Sequence, residues 1–141
     1  MASSKSDSWS LVEVSMPKRQ GRMLIRKNLV PRVKPGSRAY PWVAYMTFRF
    51  RASRPGGMPG RGTYDALETI ENDEIGALDA SRKVVFVGAV LKPSIKDHIL
   101  YLREPNALDR VARRLAKQYP KLKISVEVGP DPSWGHWAEL P

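Results

Sequence analysis

Two histidines, His98 and His136, and four acids in close succession, Glu68, Glu71, Asp73 and Glu74, are the groups of this chain best suited to moving protons. General acid–base catalysis needs such groups held within hydrogen-bond reach of each other and of a reacting atom. Their spacing does not supply that. The histidines have no metal-ligand spacing with each other or with nearby carboxylates. Asp97 adjoins His98, but in a strand the two point to opposite faces. His98 therefore reads as structural, and the four acids as the solvated face of a helix. Gly56-Gly57-Met58-Pro59-Gly60-Arg61-Gly62 precedes a helix, as phosphate-binding loops do. It lacks the Lys-Ser/Thr step and the buried parallel strand before it. Without Cys there is neither a disulfide nor a thiolate metal site. No catalytic residue, metal ligand or cofactor is assigned, and the expected role is non-enzymatic.

Charge is the stronger signal. The first 62 residues hold 13 Lys/Arg against two acids, while the remaining 79 hold 11 against 12, so nearly all of the net +10 lies in one block. A field of that kind steers association with an anionic partner. Strand alternation puts Tyr45, Arg49 and Arg51 on the side opposite Met46, Phe48 and Phe50. Lys123 joins them if the last strand is a neighbour, and Arg22, Arg26 and Lys27 belong to a preceding hairpin. These seven residues are the expected contact surface. An acidic protein is the expected partner, with nucleic acid as the alternative. For RNA, Tyr45 would serve as a stacking platform on an open sheet face, but no ribonucleoprotein-type signature accompanies it.

The elements that must position these groups follow from periodicity. Trp9–Met16 and Arg22–Lys27 alternate with period two around a turn at Pro17–Gly21, which predicts a hairpin. Pro41–Arg51 is the clearest strand. Lys83–Leu91, Lys96–Arg103 and Lys121–Val128 are three more. Thr63 is the expected cap of a first helix with Leu67, Ile70 and Leu78 inward. Asn106 and Asp109 suggest a capping box for a second helix, whose inner stripe is Leu108, Val111, Ala112, Leu115, Ala116 and Tyr119. The order predicts an α+β domain over 9–141, ferredoxin-like β-α-β-β-α-β after an N-terminal hairpin, with an antiparallel sheet and both helices on one face. Residues 1–8 read as a disordered tail. The 83–91 strand falls at a sheet edge yet is apolar throughout, so either the hairpin or a second copy, giving a homodimer, must cover it. No apolar run approaches the ~20 residues of a membrane span. The polar start lacks a signal peptide's apolar segment, so the cytoplasm is the expected location.

The closing segment holds the most distinctive local pattern, Asp131-Pro132-Ser133-Trp134-Gly135-His136-Trp137, two Trp three residues apart after a proline-fixed turn. Such aromatics anchor a chain end onto a core. With Trp9, Gly57-Met58-Pro59, Leu67, Glu68, Glu71, Val87-Gly88 and Tyr101, this motif resembles the bacterial domain of unknown function 695 family over Trp9 to Leu140. The resemblance implies no catalytic residues. It implies kinship with domains similar to regulator-of-ribonuclease B proteins and to toxin-neutralising immunity proteins, and hence a protein-binding regulator or inhibitor.

Overall fold

Six segments of alternating or β-branched sequence become strands: β1 (Trp9–Ser15), β2 (Arg22–Asn28), β3 (Trp42–Arg49), β4 (Val84–Lys92), β5 (Ile95–Leu102) and β6 (Lys123–Pro130). In the computed structural model, which describes residues 7–16 and 21–141, they form one antiparallel sheet in the order β1-β2-β4-β5-β3-β6. The architecture is mixed α/β. Leu24–Lys27 of β2 pair with Gly88–Leu91 of β4, whose other side is taken by β5. The hairpin thus occupies the edge that the sequence left open. A homodimer through strand 83–91 is corrected accordingly, because that strand is interior to the sheet. The hairpin also makes the sheet two strands wider than a plain four-stranded ferredoxin-like one. Its expected turn at Pro17–Gly21 lies, apart from Gly21, outside the described residues. So do Met1–Ser6 of the expected tail. Asp7 and Ser8, by contrast, are tied in: Asp7 N–H donates to the Val30 carbonyl at 2.6 Å, and Leu29 N–H to that of Ser8 at 2.7 Å.

Residues 61–80 run as one helix in three parts, α1 (Arg61–Thr69), a π-helical segment (Ile70–Ile75) and α2 (Gly76–Ala80), with helical backbone at both joins. Gly60 stands at the N-cap in extended conformation, and Tyr64 N–H closes the first turn on its carbonyl at 2.8 Å. Thr63 is therefore inside the helix and does not cap it. Nor does Asn106 cap α3 (Asp109–Gln118) with its side chain. A turn over 105–108 leads in, and Asp109 N–H donates to the Asn106 carbonyl at 3.1 Å. The π segment has a packing cause. Ile70 and Ile75, five residues apart, would sit roughly 140° apart around an α-helix of 3.6 residues per turn. The wider turn, closed by Gly76 N–H on the Glu71 carbonyl, lets both point into the core, where they are fully buried.

Both sheet faces are covered. On one, Leu67, Ile70, Ile75, Leu108, Val111 and Leu115 of the helices pack with Ala44, Met46, Phe48, Leu100 and Leu102. On the other, Ile25, Val43, Val85, Val87, Ile99 and Tyr101 meet Tyr40 of the loop before β3 and Trp134 of the chain end. A bulge between Phe86 and Gly88 adjusts the register of β4 against β5. The Gly-rich loop has a structural use: Gly57 has φ +73°, and a Cβ there would meet the Pro93 side chain at 2.4 Å. Its carbonyl accepts from Ser94 N–H at 2.8 Å, so the loop buttresses the β4–β5 turn.

The closing motif seats Trp134 fully buried and stacked on Tyr101, rings 4.0 Å apart and 7° from parallel. Its indole N–H donates to the Tyr40 carbonyl at 3.0 Å. Asp131 accepts from Tyr101 Oη (2.6 Å) and from the N–H groups of Gly135 and His136 (both 3.0 Å), which opens the short helix α4 (Gly135–Glu139). Pro132 belongs to the turn between these contacts. Trp137 is half-buried, its indole N–H on the Asn28 carbonyl at 2.8 Å. Trp134 holds a left-handed backbone, φ +59°. Bulky residues rarely adopt that conformation, and the stacking and hydrogen bonds impose it. Leu115→Ala should cost about 2–5 kcal/mol in urea unfolding, the range for a buried Leu. Deleting residues 131–141 should lower the melting temperature in calorimetry by removing the cover of the second face.

Candidate functional site

Alternation along β5 sends Lys96, His98, Leu100 and Leu102 toward the helices. The two apolar residues meet helix side chains, whereas Lys96 and His98 meet Glu71, delivered by the π segment. Lys96 Nζ lies 3.1 Å from Glu71 Oε1 and His98 Nε2 3.3 Å from the same oxygen. Arg26, from β2, completes the group by donating a short hydrogen bond to that oxygen. Three nitrogen-bearing side chains from two strands thus converge on one carboxylate oxygen. His98 is fully buried, and neither of its ring nitrogens has a well-aligned hydrogen bond. Its approach to Glu71 is therefore a charge–dipole contact.

The electrostatics follow from this packing. Burial pushes the Glu71 carboxyl up, but His98, Lys96 and Arg26 outweigh burial and hold it well below the ordinary carboxylate range. Burial lowers the Lys96 ammonium, an effect that Glu71 partly offsets. Burial likewise lowers the His98 imidazole, against the opposing pull of Glu71. The cluster holds two cations, one anion and a neutral histidine.

A groove opens on each side of the Arg26–Glu71 pair. One, of about 270 Å³, is lined by Leu11, Leu24, Tyr64, Leu67 and Leu91, with the cations Arg26 and Lys96 and the carboxylates Glu68 and Glu71 among them. The other, of about 290 Å³, lies under Trp9 and Phe86 beside Asn72 and Asp79. Trp9 meets Phe86 at a tilt, ring centroids 5.0 Å apart, and carries the Arg26 guanidinium 5.6 Å above its ring. Leu11 is 66% exposed and Tyr64 48%. A larger depression, about 780 Å³ between α2 and α3, is lined by surface charges of both signs such as Arg110, Arg113 and Asp109, with Arg114 bound to Glu74. Its charges lie at the surface, whereas Arg26, Lys96 and Glu71 of the smaller grooves meet at one carboxylate oxygen, so those grooves are the better candidates.

The seven expected contact residues do not form one surface. Arg22 and Arg26 face the helix side, Arg22 paired with Glu13 at 3.0 Å. Lys27 faces the opposite side, 4.6 Å over the Trp137 ring, and donates to the Leu140 carbonyl at 2.9 Å. Tyr45 is also there, 3.0 Å from His136 Nδ1. Burial raises its hydroxyl pKa, with Asp97 adding to the effect. Arg49 and Lys123 are cross-strand neighbours on β3 and β6, and Arg51 follows β3 in an exposed loop. Strands β4 and β5 separate the two groups. Reading the acids as a solvated face fails at Glu71, whose side chain is 11% exposed. Two traces in the sequence point to it only once the packing is known: the five-residue gap from Ile70 to Ile75, and the switch from apolar to polar on the inward face of β5.

The chain belongs to the family of unknown function DUF695, which it matches over residues 7–140. No curated protein and no solved structure matches it. Among the described residues, no helix is long and apolar enough to cross a membrane.

The buried cluster makes acid stability a two-step property. Burial makes His98 harder to protonate in the fold than in the unfolded chain, where it takes up a proton below the usual 6.5. Stability therefore falls as pH drops through that value, by up to about 1.4 kcal/mol per unit. A second loss begins below 4.5, where unfolded Glu71 is protonated and the folded carboxylate is not. His98→Gln should abolish the first loss in urea titrations across pH 7 to 5 and leave the second in place.

Proposed function

We propose that this DUF695 domain is a non-enzymatic, protein-binding regulator or immunity-type inhibitor, and that it contacts an acidic partner along the groove between the β1–β2 hairpin and α1. The observation that carries this reading is the pairing of exposed apolar side chains, Leu11 and Tyr64, with the partly covered cation Arg26 and the largely covered Lys96 in one groove. Apolar contact supplies affinity in protein interfaces, and charge supplies specificity and encounter rate. Further basic residues, Arg54 and Arg61, sit on the loop and helix start that lead from Pro59 at the groove wall. The groups suited to proton transfer, Glu71 and His98, are engaged with each other and with cations under the helix. That supports a binding role over a catalytic one. We place the protein in the cytoplasm on the same reading.

We also infer that β3 to β6 with their two helices form a ferredoxin-like unit, widened by the hairpin. The inner order β4-β5-β3-β6 and the shared face of the helices support this. Nucleic acid is the second reading, favoured by Arg49, Arg51 and Lys123 near one end of the sheet. Against stacking on the sheet face, Tyr45 is engaged by His136, and much of that face is covered by the chain end.

The test is affinity capture from nuclease-treated lysate, comparing wild type with Leu11→Glu and with the pair Arg49→Glu, Arg51→Glu. Loss of one acidic protein from the Leu11→Glu capture, with unchanged melting, is the expected outcome. Capture that vanishes with nuclease and depends on Arg49 and Arg51 would replace this reading with the second.

A further inference from the structure

Arg26, with a third of its side chain exposed, and Lys96, largely buried, bring two positive charges beneath a helix, where an anion in contact with both offsets the cost of covering them. Here the anion is Glu71, and all its contacts with the three donors fall on one oxygen, Oε1. His98, fully buried and lacking an aligned hydrogen bond on either ring nitrogen, adds an unsatisfied donor–acceptor group at the same point. Neither observation is needed to hold the helix down, which Leu67, Ile70 and Ile75 already do. Glu71 also sits on a π-helical turn, a backbone form that is rare and frequent at functional sites. The Arg26–Glu71 contact stands between the two grooves, since both residues line each of them.

We propose that Arg26, Lys96 and His98 form a carboxylate seat, held in this structure by the protein's own Glu71, and that an acidic side chain of the partner protein docks there by displacing Glu71. The inference rests on the protein-binding reading and gives that groove its ligand chemistry. Exchange of one carboxylate for another leaves the charge balance unchanged, because Lys96 is already largely covered and Arg26 partly so, and both have an anion again once the exchange is complete. The incoming segment brings its acid past Leu11 and Tyr64, where neighbouring apolar side chains find Leu24 and Leu91. Glu71 then moves toward solvent, where its hydration offsets that lost by the incoming acid. Affinity is reduced by the fraction of time that Glu71 fills the seat, so the protein's own residue tunes how tightly the partner is held.

The probe is the peptide acetyl-Leu-Glu-Leu-Glu-Leu-amide, titrated into isotope-labelled full-length protein and followed by nuclear magnetic resonance. In wild type, saturable shifts are expected at the His98 ring and at the amides of residues 70–76. Glu71→Ala should bind the peptide about tenfold more tightly, as expected if the seat is open about a tenth of the time, and should also take up acetate. Arg26→Gln should lose the peptide, and the Lys-substituted peptide should not bind. If Glu71→Ala does not fold, wild type against Arg26→Gln decides. Absence of peptide shifts in wild type, or shifts that survive Arg26→Gln, overturns the seat. Uptake of inorganic phosphate or a short RNA in preference to the carboxylate peptide overturns the ligand class. If the peptide fails while Leu11→Glu still abolishes capture, the seat falls and the protein-binding reading stands. If the peptide binds and no protein is captured, the reverse holds.

Discussion

Arg26 and Lys96 come from strands that are not neighbours, and both end beneath the helix at Glu71. Taking the carboxylate from between these cations would set like charges against each other, so the anion and the two cations support one another at this place. The position of the hairpin follows from that constraint. β2 pairs with only four residues of β4, and its side chains supply much of the remaining hold. Arg26 reaches the helix on one face, and Lys27, the next residue, reaches the chain end on the other. A single strand therefore engages both covering layers.

The second layer depends on a different kind of contact. Trp134, Tyr101 and Asp131 make one buried unit in which a stacked pair supplies apolar area and the carboxylate satisfies a hydroxyl and two helix N–H groups. Burial raises the Tyr101 hydroxyl pKa and the Asp131 contact raises it further, so the tyrosine stays a donor across the physiological range. Asp131 is held low despite its burial by the hydrogen bonds it accepts, from Tyr101 first among them. A face of the sheet that would otherwise be open is closed by polar groups that satisfy each other.

Much of the architecture was legible in sequence because it rests on local periodicity. The alternation of Trp42 to Phe50 placed Ala44, Met46 and Phe48 in the helix-facing core, and the stripe of α3 placed Leu108, Val111 and Leu115 against them. The inward position of Trp134 followed from its spacing and the prolines before it. The candidate site was harder to read, because its members meet across the fold. Arg26 and Glu71 are 45 residues apart, and nothing in a basic field says which cation turns inward. The π turn was hidden as well. An α-helical reading of Ile70 to Ile75 puts Glu71 on the flank, and only the demand that both isoleucines be buried widens the turn. The caps were misplaced for a related reason: Thr63 and Asn106 have the right chemistry, but Gly60 and the turn over 105–108 set the backbone before either side chain can act.

The fastening of Lys27 to the carbonyls of Ala138 and Leu140 has a consequence for the order of assembly. The hairpin is the first part of the described chain to leave the ribosome, and its anchor on the second face is the last. In between come β4, which must exist before β2 has its second neighbour, and the π turn that meets Arg26. Domains form as units once their contacts are available. The hairpin therefore emerges 111 residues ahead of its anchor at Ala138, with its exposed Leu11 and its edge strand unsheltered over that stretch of synthesis.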